Sequence, residues 1–205
     1  MINRTSRATP GTDTPHQTRD TVRIQAFRLF GRHGYDGVSI DNIARAVGLS
    51  KGALYWHFDG KEALFLECLQ GLDELFQEHI VGPMGDTATP TERLDRFFRG
   101  VVSLAEDPRT ADGIAGYWQE PAREDMSRSF REKLGKLEGQ IRDLLRSALE
   151  HMEKDARTSA VGIRSETLMT LMEALLLPLR HRTPETRRAI MDDLRETVLA
   201  GYAKS

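Results

Sequence analysis

The chain has 205 residues, of which 39% are hydrophobic and 29% charged, with a formal net charge of −2. That is the balance of a soluble globular protein with one sizeable core, or of a small domain fused to a larger one. It excludes membrane-spanning helices, because the long apolar run 169–179 is interrupted by Thr170 and Glu173 and is far shorter than the roughly 20 residues that cross a bilayer.

Residues 1–17 are polar and rich in Thr, Arg, Pro and Gly. They lack the apolar stretch of a secretory signal and read as a disordered tail. From there the chain reads as all-α, with about nine helices and no period-2 strand or hairpin signal. A first helix is expected from about Thr18 to His33, with Val22, Ala26, Leu29 and Phe30 on its apolar face and Gly34 ending it. Ser39 is placed to cap a short second helix that buries Ile40, Ile43, Ala44 and Val47, and Gly48 then turns the chain. Ser50 caps a third helix, Lys51 to His57, buried through Leu54 and Phe58. Asp59 and Glu62, three apart, read as a capping box for a fourth helix from Gly60 to about Ile80. Val81 to Thr89 reads as a loop, and Thr89-Pro90-Thr91-Glu92 opens a helix carrying Leu94, Phe97, Phe98, Val101 and Leu104. After a short segment around Arg109 to Trp118, Pro121 is expected to open a long helix ending near Met152. A loop over 155–164 and two last helices, 165–182 and 184–203, complete the reading, with Thr183 capping the second.

Charge and motif point the same way. From Met1 to Leu66 the chain has nine Lys and Arg against six Asp and Glu, and the remainder has twenty against twenty-five. A basic head on an acidic body suits one nucleic-acid face. Two short helices joined by a glycine turn, with a helix in front, form a helix-turn-helix. Packing of Ile43, Ala44 and Val47 against Leu54 and Phe58 would project the start of the third helix. There Gly52 and Ala53 are small enough for close approach to base edges, and Lys51 offers a flexible donor. Tyr55 and His57 flank the helix and could reach phosphates, although His57 also suits a structural role. Tyr55 and Trp56 are neighbours about 100° apart on the helix, so at least one is exposed. Lys61 lies in the first turn of the next helix, where free amides and the dipole favour an anion.

The run from Phe30 through Phe58, Phe-Gly-Arg-His-Gly-Tyr-Asp-Gly-Val-Ser-Ile-Asp-Asn-Ile-Ala-Arg-Ala-Val-Gly-Leu-Ser-Lys-Gly-Ala-Leu-Tyr-Trp-His-Phe, continues into Lys61-Glu62-Ala63-Leu64. It resembles the DNA-binding domain of the TetR family of bacterial regulators over about Val22 to Leu66. The ungapped Ser-x-Gly-x-Leu-Tyr-x-His-Phe-x-x-Lys-Glu string makes the resemblance specific, and Gly60, where many members carry a polar residue, is a minor departure. The resemblance implies groove or backbone contacts at Ser39 and Arg45, and base reading by the start of the third helix at Lys51, Gly52 and Ala53, with the capping Ser50 also in the DNA-facing set. It implies phosphate contacts at Tyr55, Trp56 and Lys61. It also implies a mostly dimeric, mostly repressing protein with a DNA-binding domain over 18–66 and a C-terminal domain, 67–205, that varies with ligand.

In that C-terminal part the last two helices, apolar on several sides, are expected to pair with their symmetry mates as a four-helix bundle. A small, partly hydrophobic effector is expected among Phe97, Phe98, Val101, Tyr117, Trp118, Met126, Phe130, Met169 and Met172, with Glu120, Arg123 and Glu173 as orienting polar groups. Core packing is the competing role for each of the apolar residues. Ligand binding would move the helix that begins at Gly60 and change the spacing of the two reading heads. The histidines show no metal-like spacing, no phosphate loop or nucleophile elbow is present, and no cofactor is expected. Cys68, the single cysteine, fits a reducing cytoplasm and reads as a small buried residue. An activator, a regulator without a ligand, and a helical enzyme or binding protein keeping the head as a module are the alternatives.

Overall fold

The computed structural model describes residues 15–85, 89–119, 121–152, 164–172 and 183–203. Most of the expected tail, the loop over 155–164 except Arg164, and the apolar run beyond Met172 lie outside these residues, as do Glu120 and Glu173. Among the described residues there is no strand, and no helix is long and apolar enough to cross a membrane.

Helix α1 spans Pro15–His33, three residues upstream of the expected start. Proline is well suited to a first helical turn, where its missing N–H is no loss. The short helices α2 (Ile40–Ala46) and α3 (Lys51–His57) follow. Helix α4 covers Lys61–Phe76 and runs on through a π turn, Gln77–Val81, into Gly82–Met84, so the loop expected from Val81 shrinks. The expected Asp59–Glu62 capping box is not formed. Gly60 occupies the cap position with φ 103° and no side-chain bond, which shifts Glu62 out of the third helical position that a box requires.

Helix α5 (Pro90–Glu106) opens as expected on a Thr89–Glu92 capping box. It lies at the centre of the later helices. It packs against the π turn, α6 and α8, and buries Leu94, Phe97, Phe98, Val101 and Leu104. Helix α6 spans Glu124–Met152, not from Pro121. Pro121 is buried, and the Ala122 N–H donates to Asp36 Oδ2 at 2.8 Å, so this stretch is pinned to the N-terminal helices before α6 starts. Residues 164–172 form α7, which buries Leu168, Met169 and Met172. Helix α8 (Pro184–Ala203) packs on α5. Thr183 Oγ1 accepts from the Thr186 N–H at 3.3 Å, as the expected cap would.

Candidate nucleic-acid interface

The local chemistry of α2 and α3 builds a rigid pair. Ser39 Oγ accepts from the Asn42 N–H at 3.1 Å while Asn42 Oδ1 accepts from the Ser39 N–H at 3.0 Å. This is a reciprocal box that satisfies two amides a helix start would otherwise leave open. Ser50 Oγ does the same for the Ala53 N–H at 3.1 Å. Between them Gly48 takes φ 70°, the left-handed conformation that side chains resist. The Leu49 N–H reaches the Ala44 carbonyl at 2.9 Å. Ile43, Ala44, Leu54 and Phe58 are buried together and Val47 packs against them, which fixes the crossing of the two helices.

The outer face of α3 is open. Lys51, Gly52, Tyr55 and Trp56 are exposed, Trp56 by 79% and Tyr55 by 49%. A side chain at Gly52 would meet nothing nearer than Ser50 Oγ at 4.0 Å, so the helix offers bare backbone at that point. Ala53 is half-buried. Lys51 Nζ lies 3.2 Å from Asp41 Oδ2, an exposed pair of the kind worth little and readily exchanged for a phosphate. Arg45 is exposed on α2. His57 is half-buried, its ring edge-on to Trp56 at 5.5 Å. Lys61 Nζ sits 4.0 Å over the Tyr35 ring. Burial pushes its ammonium pKa down and the Asp36 carboxylate opposes this. The ten expected DNA-facing residues thus lie on, or cap, α2, α3 and the first turn of α4. The Asp41 contact to Lys51, ten residues away, had no local sequence signal.

Behind this surface a joint ties α1 to the later helices. The Tyr117 ring, fully buried, lies 5.1 Å from Phe27 and 5.9 Å from Phe65, and its hydroxyl donates to the Phe27 carbonyl at 3.0 Å. Tyr117 belongs to a tight turn, Ala115–Trp118, which presses Gly116 onto the end of α1. Cys68 is buried in the same layer, and burial pushes its thiol up to about 12, leaving it protonated and unreactive.

The apolar residues expected around an effector belong to the core cluster or pack against it. Phe97, Val101, Met126, Phe130, Met169 and Met172 are buried. Phe98 lines a cleft of about 210 Å³ between α5 and α8. Trp118 is half-buried against Phe76, and its Nε1–H donates to Glu138 at 3.1 Å. Arg123 is exposed and pairs with Asp125 and Glu62.

A polar cluster absent from the sequence reading joins the π turn to α5. His79 Nδ1 lies 2.9 Å from Ser103 Oγ and Nε2 2.9 Å from Asp107 Oδ2. Glu78, His79 and Asp107 come close enough to resemble a metal site. The Arg109 guanidinium fills the place of a cation, at 2.7 Å from Glu78 and 2.6 Å from Asp107. Arg109, opposed by burial and aided by His79, holds the Asp107 carboxyl well below the usual carboxylate range. Because its folded pKa is depressed, Asp107 stabilises the fold fully above its unfolded value of about 3.9, and this is lost as pH falls toward the folded one. Asp107→Asn should therefore lower stability by about 1–3 kcal/mol at pH 7. Urea unfolding at pH 7 and pH 3 checks this: the gap between variant and wild type should narrow at pH 3, and a constant gap would show that ionisation of Asp107 is not the cause.

Comparison with known proteins supplies the context. Residues 25–68 match the model of the bacterial regulatory proteins of the tetR family. The biofilm operon icaADBC HTH-type negative transcriptional regulator IcaR of Staphylococcus aureus strain Newman is 25% identical over 154 residues, 75% of this chain and 77% of that protein. The probable acrEF/envCD operon repressor of Escherichia coli K12 is 35% identical over 97 residues, 45% of this chain and 43% of that protein. Among solved structures, AibR in complex with isovaleryl coenzyme A and operator DNA superposes with a TM-score of 0.68 at 19% identity, over 88% of this chain and 97% of that one. SCO4454, a TetR-family transcriptional regulator from Streptomyces coelicolor, superposes with a TM-score of 0.67 at 20% identity, over 92% and 91%.

Proposed function

We propose that this chain, whose residues 25–68 match the model of the bacterial regulatory proteins of the tetR family, is a member of that family and a ligand-responsive DNA-binding transcriptional regulator. In this reading it is a repressor that binds a palindromic operator as a homodimer and releases it on binding a small, partly hydrophobic molecule. The observation that carries the reading is the outer face of α3. Its buried Leu54 anchors a capped helix whose Lys51, Gly52, Tyr55 and Trp56 all stand exposed, the arrangement that lets a recognition helix enter a major groove. Ser39, Arg45, Ser50, Ala53, His57 and Lys61 complete the contact set, with Arg45 and Lys61 toward phosphates.

Residues 18–66 act as the DNA-binding domain and 67–205 as the effector and dimerisation domain, in a protein that works in the cytoplasm. The last two helices form the dimer seam. Supporting this, Ile190, Leu194 and Val198 of α8 are only partly covered within one chain, and two linked heads are what a palindrome with half-sites about 34 Å apart requires. The named relatives are regulators of transcription, and the structure of AibR in complex with isovaleryl coenzyme A and operator DNA supports a small-molecule site and a DNA-binding surface on one such fold.

Selection from a random double-stranded DNA library, with wild type and a Lys51→Ala, Tyr55→Ala variant in parallel, tests the reading. Wild type is expected to enrich one palindrome, and the variant to bind it roughly a hundredfold more weakly, at about 1–3 kcal/mol per lost contact. Absence of enrichment at low and moderate salt would remove the operator-binding role.

A further inference from the structure

A cleft of about 360 Å³ opens between α1, α4 and the turn Pro108–Thr110, within the size range of small-molecule sites, about 300–1,000 Å³. It contains none of the residues expected around an effector. Its floor is apolar: Phe27, Cys68 and Leu75 are buried beneath it. The hollow persists because residue 71, inside α4, is glycine, a choice that weakens a helix interior. A Cβ there would meet the Phe27 ring at 3.9 Å, ordinary contact. Ile24, half exposed at 50%, stands at the mouth.

The mouth carries charges of both signs. Arg23, Arg28 and Arg109 line it, against Glu67 and Glu74. Glu67 is engaged by Arg19, and Arg109 by Asp107 and Glu78. Arg23 and Arg28 are held loosely. Arg23 lies 3.7 Å from Asp20 and Arg28 Nε 3.6 Å from Asp112, both longer than a hydrogen bond. The Arg28 Nε is buried without a hydrogen-bond partner, a state that a bound acceptor would relieve.

We propose that this cleft binds a small amphipathic carboxylate, its alkyl or aryl tail on the Phe27–Leu75 floor and its oxygens on Arg23 and Arg28. An apolar floor below a guanidinium pair matches that chemistry, because planar Arg forks suit carboxylates. The occupant touches the helix that leads into the DNA-binding head, the helix that spans both parts, and a turn of the later helices. Control of operator affinity from here rests on the function proposed above, whereas the site itself does not.

Isothermal titration with octanoate, and with octylammonium as a probe of equal tail and opposite charge, tests the site without DNA. Wild type should bind octanoate at one site, and octylammonium at least about tenfold more weakly, the worth of a charge-assisted contact. Gly71→Leu, which fills the hollow with a good helix former, and Arg23→Ala, Arg28→Ala should each raise the octanoate Kd at least about tenfold. Circular dichroism confirms that both variants fold. The proposal is overturned if wild type does not take up millimolar octanoate, if folded Gly71→Leu binds it as well as wild type, or if octylammonium binds equally. A parallel operator titration separates the two readings: failure of ligand-free protein on DNA removes the proposed function and leaves the octanoate result standing.

Discussion

Gly116→Ala is expected to destabilise the protein by about 3 kcal/mol, the upper end for overpacking a tight interior site. The added methyl would lie under 3.0 Å from the Phe30 carbonyl oxygen, the Gly34 nitrogen and the Gly31 carbonyl oxygen. All three are backbone atoms, so no side chain can swing aside. The end of α1 cannot retreat either without breaking the Gly34 N–H to Phe30 carbonyl bond at 2.8 Å. Urea unfolding reads the loss. Gly135→Ala is the internal reference, because a Cβ there meets nothing within 4 Å, and it should gain about 0.5–1 kcal/mol from helix propensity alone. Equal midpoints for Gly116→Ala and wild type would refute the close approach of the turn to α1.

Tyr117→Ala should cost about 3–5 kcal/mol, the usual loss for truncating a large buried aromatic. Tyr117→Phe should cost about 1 kcal/mol, because the hydroxyl's bond to the Phe27 carbonyl and its contact with Cys68 disappear while the ring contacts with Phe27 and Phe65 survive. The pair of variants divides packing from hydrogen bonding in one denaturation series. A loss under about 1 kcal/mol for Tyr117→Ala would mean that the ring is not the wedge that joins α1 to the turn.

The parts that local chemistry specifies were legible in the sequence. Ser39, Ser50, Thr89 and Thr183 each cap the helix they precede, because a hydroxyl bonding an amide three residues on needs no tertiary help. The helix-turn-helix was legible for the same reason: its spacing, glycine turn and buried face all lie within twenty residues. Asp59 shows the limit. Its spacing to Glu62 suited a box, but Gly60, free to take a positive φ, became the cap instead. Pro121 looked like a helix start until Asp36, 86 residues earlier, claimed the next amide. The joint was invisible for the same cause, since Gly116 and Tyr117 act on partners about 50 or more positions away. Tyr117 therefore suggested a ligand-facing polar tip, whereas its hydroxyl is spent on α1. The π turn and the His79–Asp107–Arg109 cluster likewise depend on how α5 lies across α4.

The two tryptophans, the only ones in the chain, divide between the reading surface and the interior. Trp56 stands in solvent on α3, and Trp118 lies half-covered against Phe76. The protein thus carries two native fluorophores with different optical surroundings. Iodide is expected to quench the first far more than the second, and the first is expected to emit at longer wavelength. Events at the outer face of α3 and events among the later helices can be followed separately in one unlabelled sample, each by its own part of the emission band.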